Sequence, residues 1–244
     1  MSGGGVRLQG LRFDYPDGTP ALRGLDLEIP PGQSVAVVGA NGAGKSTLLL
    51  QLNGLLLPTA GEVAIDGLRV EATSLVAIRQ RVGYVFQDAD DQLFMPTVQE
   101  DVAFGPRNQG LPGAEVQQRV HAALLQVGAL HLASRAPWRL SGGEKRAVAI
   151  AGVLAMQPQV LVLDEPSSGL DPSARRRLIG LLQTCTPTRV MATHDLDLVL
   201  DACQRVVVLH QGTLQADGTP QQVLADVALL ARCGLEPPLS AGLR

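Results

Sequence analysis

The stretch Gly39-Ala40-Asn41-Gly42-Ala43-Gly44-Lys45-Ser46-Thr47 has the spacing G-x-x-x-x-G-K-S, and that spacing suits the binding of a phosphate chain. Small residues let the backbone wrap an anion, Lys45 can reach its terminal phosphates, and the Ser46 hydroxyl is available to Mg²⁺. A helix starting here adds unsatisfied N–H groups and the positive end of its dipole. The pattern implies a nucleoside triphosphate as ligand. A second pair of reactive groups, Asp164 and Glu165, closes the apolar run Val160-Leu161-Val162-Leu163. At the C-terminal end of a buried strand Asp164 can hold Mg²⁺ together with Ser46, and Glu165 can accept a proton from an attacking water. A third group is Leu140-Ser141-Gly142-Gly143-Glu144, ahead of an apolar helical stretch from Lys145 to Met156. Ser141 and Glu144 have the spacing of a capping box. Two consecutive glycines start a helix poorly, yet they allow close approach of backbone to an anion. The chain therefore carries two candidate phosphate-binding helix starts, and the second is best used on another subunit's nucleotide.

The elements around these groups are legible from periodicity. Val35 to Val38 and Leu48 to Leu52 read as a buried strand and a buried helix on either side of the glycine loop. Alternating apolar residues over Val6 to Phe13 and Leu25 to Ile29, with the turn cluster Tyr15-Pro16-Asp17-Gly18 between them, predict an antiparallel hairpin. A second pair of strands is expected at Glu62 to Asp66 and Val82 to Phe86, flanking a helix over Ser74 to Gln80. From Asp88 to Gln157 strand signal nearly vanishes. Val116, Val120, Ala123, Leu124 and Val127 share one helical face. Short unbroken apolar runs then return at Val160 to Leu163, Arg189 to Ala192 and Val206 to Leu209, the texture of strands covered on both faces of a parallel sheet. Helices are expected between them over Pro172 to Gln183 and Asp195 to Cys203. A helical tail over Gln221 to Arg232 leads to Pro237-Pro238, where regular structure should fade.

Composition sets the outer bounds. The chain has 244 residues, 45% of them hydrophobic, and a formal net charge of −3. That is enough for a sizeable α/β core. The longest strongly apolar run, Ala147 to Met156, is about half of a membrane span, and Met1 to Gly5 has no secretory character, so the chain is expected to stay in the cytoplasm. No basic cluster exceeds Arg175-Arg176-Arg177, which argues against a nucleic-acid partner. Cys185, Cys203 and Cys233 lack zinc or redox spacing and read as buried thiols.

With the glycine loop (Walker A), Leu-Ser-Gly-Gly and Asp-Glu-Pro in this order, the sequence resembles an ABC transporter ATP-binding subunit from about Val6 to Asp226. The resemblance implies a P-loop NTPase fold: an α/β core over 1–87 and 158–220 carrying an antiparallel β lobe, a helical subdomain inserted over 88–157, and a helical tail over 221–244. It implies hydrolysis of MgATP in a head-to-tail dimer, each ATP held between Gly39, Asn41, Gly42, Ala43, Gly44, Lys45, Ser46 and Thr47 of one chain and Ser141, Gly142 and Gly143 of the other. Tyr15 matches the aromatic that stacks on adenine. Gln87 matches the glutamine that meets Mg²⁺ and water, Asp171 the loop that crosses the dimer interface, and His194 the switch histidine of the γ-phosphate. The resemblance thus implies Ser46, Gln87 and Asp164 as the metal set and Glu165 as the catalytic base.

A narrower resemblance lies in Val85 to Phe94, Val98 to Pro106 and Ala192 to Val199. These segments are similar to ATPases of energy-coupling-factor importers, particularly the cobalt and nickel branch; a vitamin or another small solute is the alternative cargo. That likeness implies a transmembrane subunit, a separate substrate-binding membrane subunit, a second ATPase as copy or paralogue, and a place on the cytoplasmic face of the membrane. It also implies that Asp88-Ala89-Asp90-Asp91 lies on the surface that meets the membrane partner. Ala89 stands where proline is frequent, and Glu144 where glutamine is usual. Glu144 would bring negative charge near the partner's γ-phosphate unless it folds back as a cap. ABC ATPases that clamp DNA carry long coiled coils, and those that act on ribosomes usually carry two such domains; neither feature is visible here.

Overall fold

A computed structural model describes residues 4–242. In chain order it contains strands β1 (Val6–Asp14), β2 (Pro20–Ile29) and β3 (Ser34–Val38), helix α1 (Lys45–Leu52), strands β4 (Ala60–Ile65) and β5 (Leu68–Arg69), helix α2 (Leu75–Arg81) and strand β6 (Val82–Val85). Helices α3 (Val98–Asn108), α4 (Gly113–Gln126) and α5 (Gly142–Ala155) follow. Then come β7 (Val160–Asp164), α6 (Pro172–Thr184), β8 (Thr188–Ala192), α7 (Leu196–Ala202), β9 (Arg205–His210), β10 (Thr213–Gly218), α8 (Pro220–Leu224) and α9 (Val227–Arg232).

Among the described residues the strands form two sheets, ordered β2-β1-β4-β5 and β10-β9-β3-β8-β7-β6. In the first, β1 pairs antiparallel with both β2 and β4. Its inward residues Val6, Leu8, Leu11 and Phe13 alternate with exposed ones, and a register shift between Leu8 and Leu11 resets the alternation. In the second, β3, β6, β7, β8 and β9 run parallel. Every residue of β3, β7 and β8 is buried, because helices cover both faces of a parallel sheet. Leu48, Leu49 and Leu52 of α1 fill the space between the two sheets, against Leu11, Leu25, Ile65, Val160 and Val190. No helix among the described residues is long and apolar enough to cross a membrane.

Helices α3, α4 and α5 bury their own cluster of Val98, Val102, Val116, Val120, Leu124, Val148 and Ala151. The opposite side of α5 presents Ile150 and Val153 to Val85, Leu161, Leu163 and Leu178. One helix thus belongs to both cores.

Several expectations are revised. The strands read at Glu62 to Asp66 and Val82 to Phe86 are not a pair: β4 lies in the antiparallel sheet and β6 ends the parallel one. Adjacency in sequence suggested pairing, while the intervening α2 carries the chain from one sheet to the other. Strands β5 and β10 were not expected. β10 alternates between half-buried and exposed residues, and antiparallel pairing with β9 makes it a strand. Helix α5 begins at Gly142 rather than Lys145 because its cap holds the glycines in the first turn. The tail splits at Asp226, whose carboxylate accepts from Leu229 N at 2.9 Å and starts α9. Past Pro238 the chain makes a 3-10 turn over Leu239–Gly242, where Leu239 N and Ser240 N donate to the Asp197 carboxylate, each at 3.1 Å.

Candidate functional site

The glycine loop leaves β3 and enters α1 through Gly44, whose φ of 104° lies in the left-handed region. A Cβ at Gly44 would stand 2.7 Å from the Ala21 carbonyl oxygen, and one at Gly39 would stand 2.2 Å from the Leu209 carbonyl oxygen. Close backbone approach therefore requires glycine at both positions. No side chain caps the start of α1, so its first amides are left to face an anion. Lys45 is buried and folds along the loop, Nζ donating to Gly39 O at 2.7 Å and Ala40 O at 3.1 Å. Burial lowers its pKa, and the charges of Glu165 and Asp164 oppose that shift.

The loop opens on a cavity of about 1540 Å³. Tyr15, Gly39, Asn41, Gly42, Gly44, Lys45, Ser46 and Thr47 line it together with Gln87, Glu165 and His194. Tyr15 OH shares a 2.9 Å hydrogen bond with Thr47 Oγ1, and its ring meets Phe13 edge-on at 5.0 Å. Ala43 is the loop residue placed elsewhere. Its side chain joins the core, and its carbonyl accepts from Gly212 N at 3.0 Å.

Asp164 is buried, and its Oδ2 accepts from the Tyr84 hydroxyl at 3.3 Å. Its Oδ1 is buried with no hydrogen-bond partner. Burial raises the pKa of this carboxyl, while the Ser46 and Tyr84 hydroxyls beside it work in the other direction. A buried, unpartnered carboxylate oxygen next to a hydroxyl is an unfavourable arrangement that a divalent cation would relieve. The residues present therefore fit Mg²⁺, a hard cation that takes oxygen ligands.

Glu165 has a φ of 44°, a left-handed conformation that a non-glycine residue adopts at a cost of about 1–3 kcal/mol. The bond from its N–H to Ala192 O at 2.9 Å holds it there. This turn aims the carboxylate at His194, whose Nδ1 lies 2.8 Å and whose backbone N lies 3.2 Å from Oε2. His194 itself is largely exposed on the cavity wall. The Gln87 side chain stands on the rim, exposed, while its carbonyl oxygen accepts from Arg146.

Ser141, Gly142, Gly143 and Asp171 are not brought to this cavity. Ser141 caps α5, its N and Oγ donating to Glu144 Oε2 at 2.8 and 2.9 Å while Oγ accepts from Glu144 N at 3.4 Å. Glu144 thus folds back onto its own helix end. Gly143 and Glu144 line a separate cleft of about 610 Å³ between α4 and α6, and Gly142 borders a groove with Gln87 and Asp90. Asp171 caps α6 by accepting from Ser173 N at 2.8 Å and Ala174 N at 2.9 Å, and these bonds lower its pKa. Two residues at the site were not anticipated, Tyr84 and Arg146. Tyr84 is a hydroxyl inside the apolar run Val82 to Phe86, an incongruity that could have found it, whereas Arg146 follows Glu144 and Lys145 and carries no such signal.

Comparison with known proteins adds to this geometry. The ABC transporter family pattern matches residues 22–168. The energy-coupling factor transporter ATP-binding protein EcfA of Methanothermobacter thermautotrophicus is 51% identical over 243 residues, covering 98% of this chain and 78% of that one. CbiO1 of Clostridium perfringens, part of the ABC transporter complex cbiONQ, superposes with a TM-score of 0.83 at 39% identity over 93% of each chain. An ATP-binding cassette in a dimeric post-hydrolysis state bound to ADP and Pi superposes with a TM-score of 0.79 at 29% identity, over 88% of this chain and 98% of that one.

Proposed function

The chain belongs to the ABC transporter family of ATP-hydrolysing subunits, and from that premise we propose that it powers an energy-coupling-factor importer on the cytoplasmic face of a cell membrane, with cobalt or nickel ions as cargo. The observation that carries the reading is the division of the site: Lys45, Ser46, Glu165 and His194 line the cavity of the glycine loop, with Asp164 next to Ser46, while Ser141 to Gly143 lie outside that cavity. Such a half-site needs the complementary half of a second subunit, a copy or a paralogue. The likeness to CbiO1 and to EcfA supports the importer and its branch.

In this reading the loop amides and Lys45 hold the phosphates and Tyr15 stacks on adenine. The second subunit brings its Ser141 hydroxyl and the backbone of its Gly142 and Gly143 to the γ-phosphate. Asp164, Ser46 and Gln87 would hold Mg²⁺, which would supply positive charge to offset that of the phosphates. Glu165 takes the proton of the attacking water as its oxygen bonds to the γ-phosphorus and the bond to ADP breaks. His194 keeps the Glu165 carboxylate aimed and meets the γ-phosphate. Asp171 contributes at the dimer interface. Asp91, exposed on the turn after Gln87, faces the membrane partner.

Purification of the tagged chain from membranes, with identification of what accompanies it, tests the importer reading. A transmembrane subunit and a distinct substrate-binding membrane protein are expected, with cobalt or nickel uptake lost when the chain is deleted. Recovery of soluble partners only would overturn it, and unchanged metal uptake would overturn the cargo.

A further inference from the structure

Helix α5 carries a buried cation with the Asp88 and Asp164 carboxylates close enough to favour its charge. Arg146 lies one turn into the helix and is 5% exposed. Its Nη1 donates to Phe86 O at 2.6 Å, and its Nη2 donates to Gln87 O. A buried charge is costly unless fully bonded, and a planar guanidinium can span two successive carbonyls where an ammonium cannot. Two further contacts flank this fork. Lys145 Nζ reaches Asp90 Oδ1 at 2.6 Å, and Gln92 donates from Nε2 to Ala149 O at 2.9 Å while its Oε1 accepts from Phe86 N at 3.3 Å. The segment from Phe86 to Gln92 is thereby bound to α5 across more than one helical turn. Its Gln87 end stands on the nucleotide cavity, and the Ser141 to Gly143 end of α5 stands outside it.

We propose that Arg146 is a positioning residue that locks the Gln87 segment to the start of α5, so that a nucleotide met by Gln87 sets where Ser141 to Gly143 are presented to the second subunit. The proposal rests on the roles given above to Gln87 and to Ser141–Gly143. A guanidinium that only filled space would need neither carbonyl. Because α5 is shared by the helical cluster and the core, a shift of its start moves with the whole helix.

The test compares Arg146→Met, Arg146→Lys, Gln87→Ala and Arg146→Met/Gln87→Ala in the full-length chain, reading nucleotide affinity at the loop, kcat and KM of ATP hydrolysis, ATP-driven dimerisation and melting temperature. Arg146→Met is expected to keep nucleotide affinity within about 2-fold and to lose roughly 10- to 100-fold in kcat together with dimerisation. Arg146→Lys should recover part of that loss, and it carries the test if the methionine variant does not fold. Adding Gln87→Ala should cost little more, since both changes cut one route. A lower melting temperature with kcat unchanged, or losses in the double variant that multiply, would overturn the proposal. If Gln87→Ala and Ser141→Arg both leave hydrolysis intact, it is the underlying reading of the site that fails.

Discussion

Glu165 and Asp164 are neighbours in sequence with opposite surroundings. Asp164 keeps one oxygen on Tyr84 and one without a partner, whereas Glu165 is turned by its positive φ toward His194. A base that is already oriented needs no rearrangement to receive a proton. Glu165→Gln keeps the shape and the hydrogen-bonding capacity of the side chain but removes its proton affinity. It should retain ATP binding, lose roughly 10²- to 10⁴-fold in hydrolysis and accumulate an ATP-bound dimer, which size-exclusion chromatography with ATP would detect. Near-normal turnover would exclude the role. The types and spacing of Lys45, Ser46, Asp164 and Glu165 were legible because each sits where a strand ends or a helix begins. The Glu165–His194 pairing was not, since those residues come from the ends of two different strands, β7 and β8, that only sheet register brings together.

At the scale of the element, α5 is the informative helix. Its capping box answers the question raised by Glu144: the carboxylate is bonded to Ser141 and lies on its own helix end. The Ser141 N–H, and then its hydroxyl, hold the Glu144 carboxyl below the usual glutamate range. A depressed folded-state pKa gives stability that is present above the unfolded pKa and is lost as pH falls through the folded one. Glu144→Ala should therefore lower stability at neutral pH by about 0.3–1 kcal/mol for a solvent-screened cap, and the gap to the parent chain should close as pH drops through and below the glutamate range. Denaturant melts at several pH values measure this; a gap that widens with acid would contradict it. Sequence spacing announced the box. It did not announce that Arg146, a turn later, would be buried against Phe86 and Gln87, because a helix's partners across space leave no mark on its own periodicity.

Among the described residues the glycine loop, the proposed phosphate cradle, lines one cavity, and the Ser141 to Gly143 start of α5 lies outside it. Lys45→Ala disables the cradle and Ser141→Arg obstructs the donated face. If sites are shared between subunits, a mixed dimer of the two single variants has one site with both defects and one with neither, so mixing should recover ATPase that neither variant shows alone. No recovery, with mixed dimers demonstrated, would count against sharing. Both Asp90 and Asp91 are exposed, but Asp90 is paired with Lys145. Asp91→Lys should weaken assembly with the membrane subunit and leave basal ATPase unchanged, as judged by co-purification beside a hydrolysis assay. Unaltered assembly would remove Asp91 from that surface.

The sequence by itself determined the α/β class, the glycine loop between a buried strand and a helix, and the identities of the acids near it. These depend on local rules: glycine where backbone must approach, buried apolar runs where strands are covered on both faces, and charged residues where such strands end. Only tertiary structure decided that β4 and β6 belong to different sheets, that β10 completes one of them, that Ala43 turns into the core and that Tyr84 and His194 hold the two acids. Each depends on which strand lies beside which, a choice set by packing the two sheets onto α1 and by burying α5 in two cores at once.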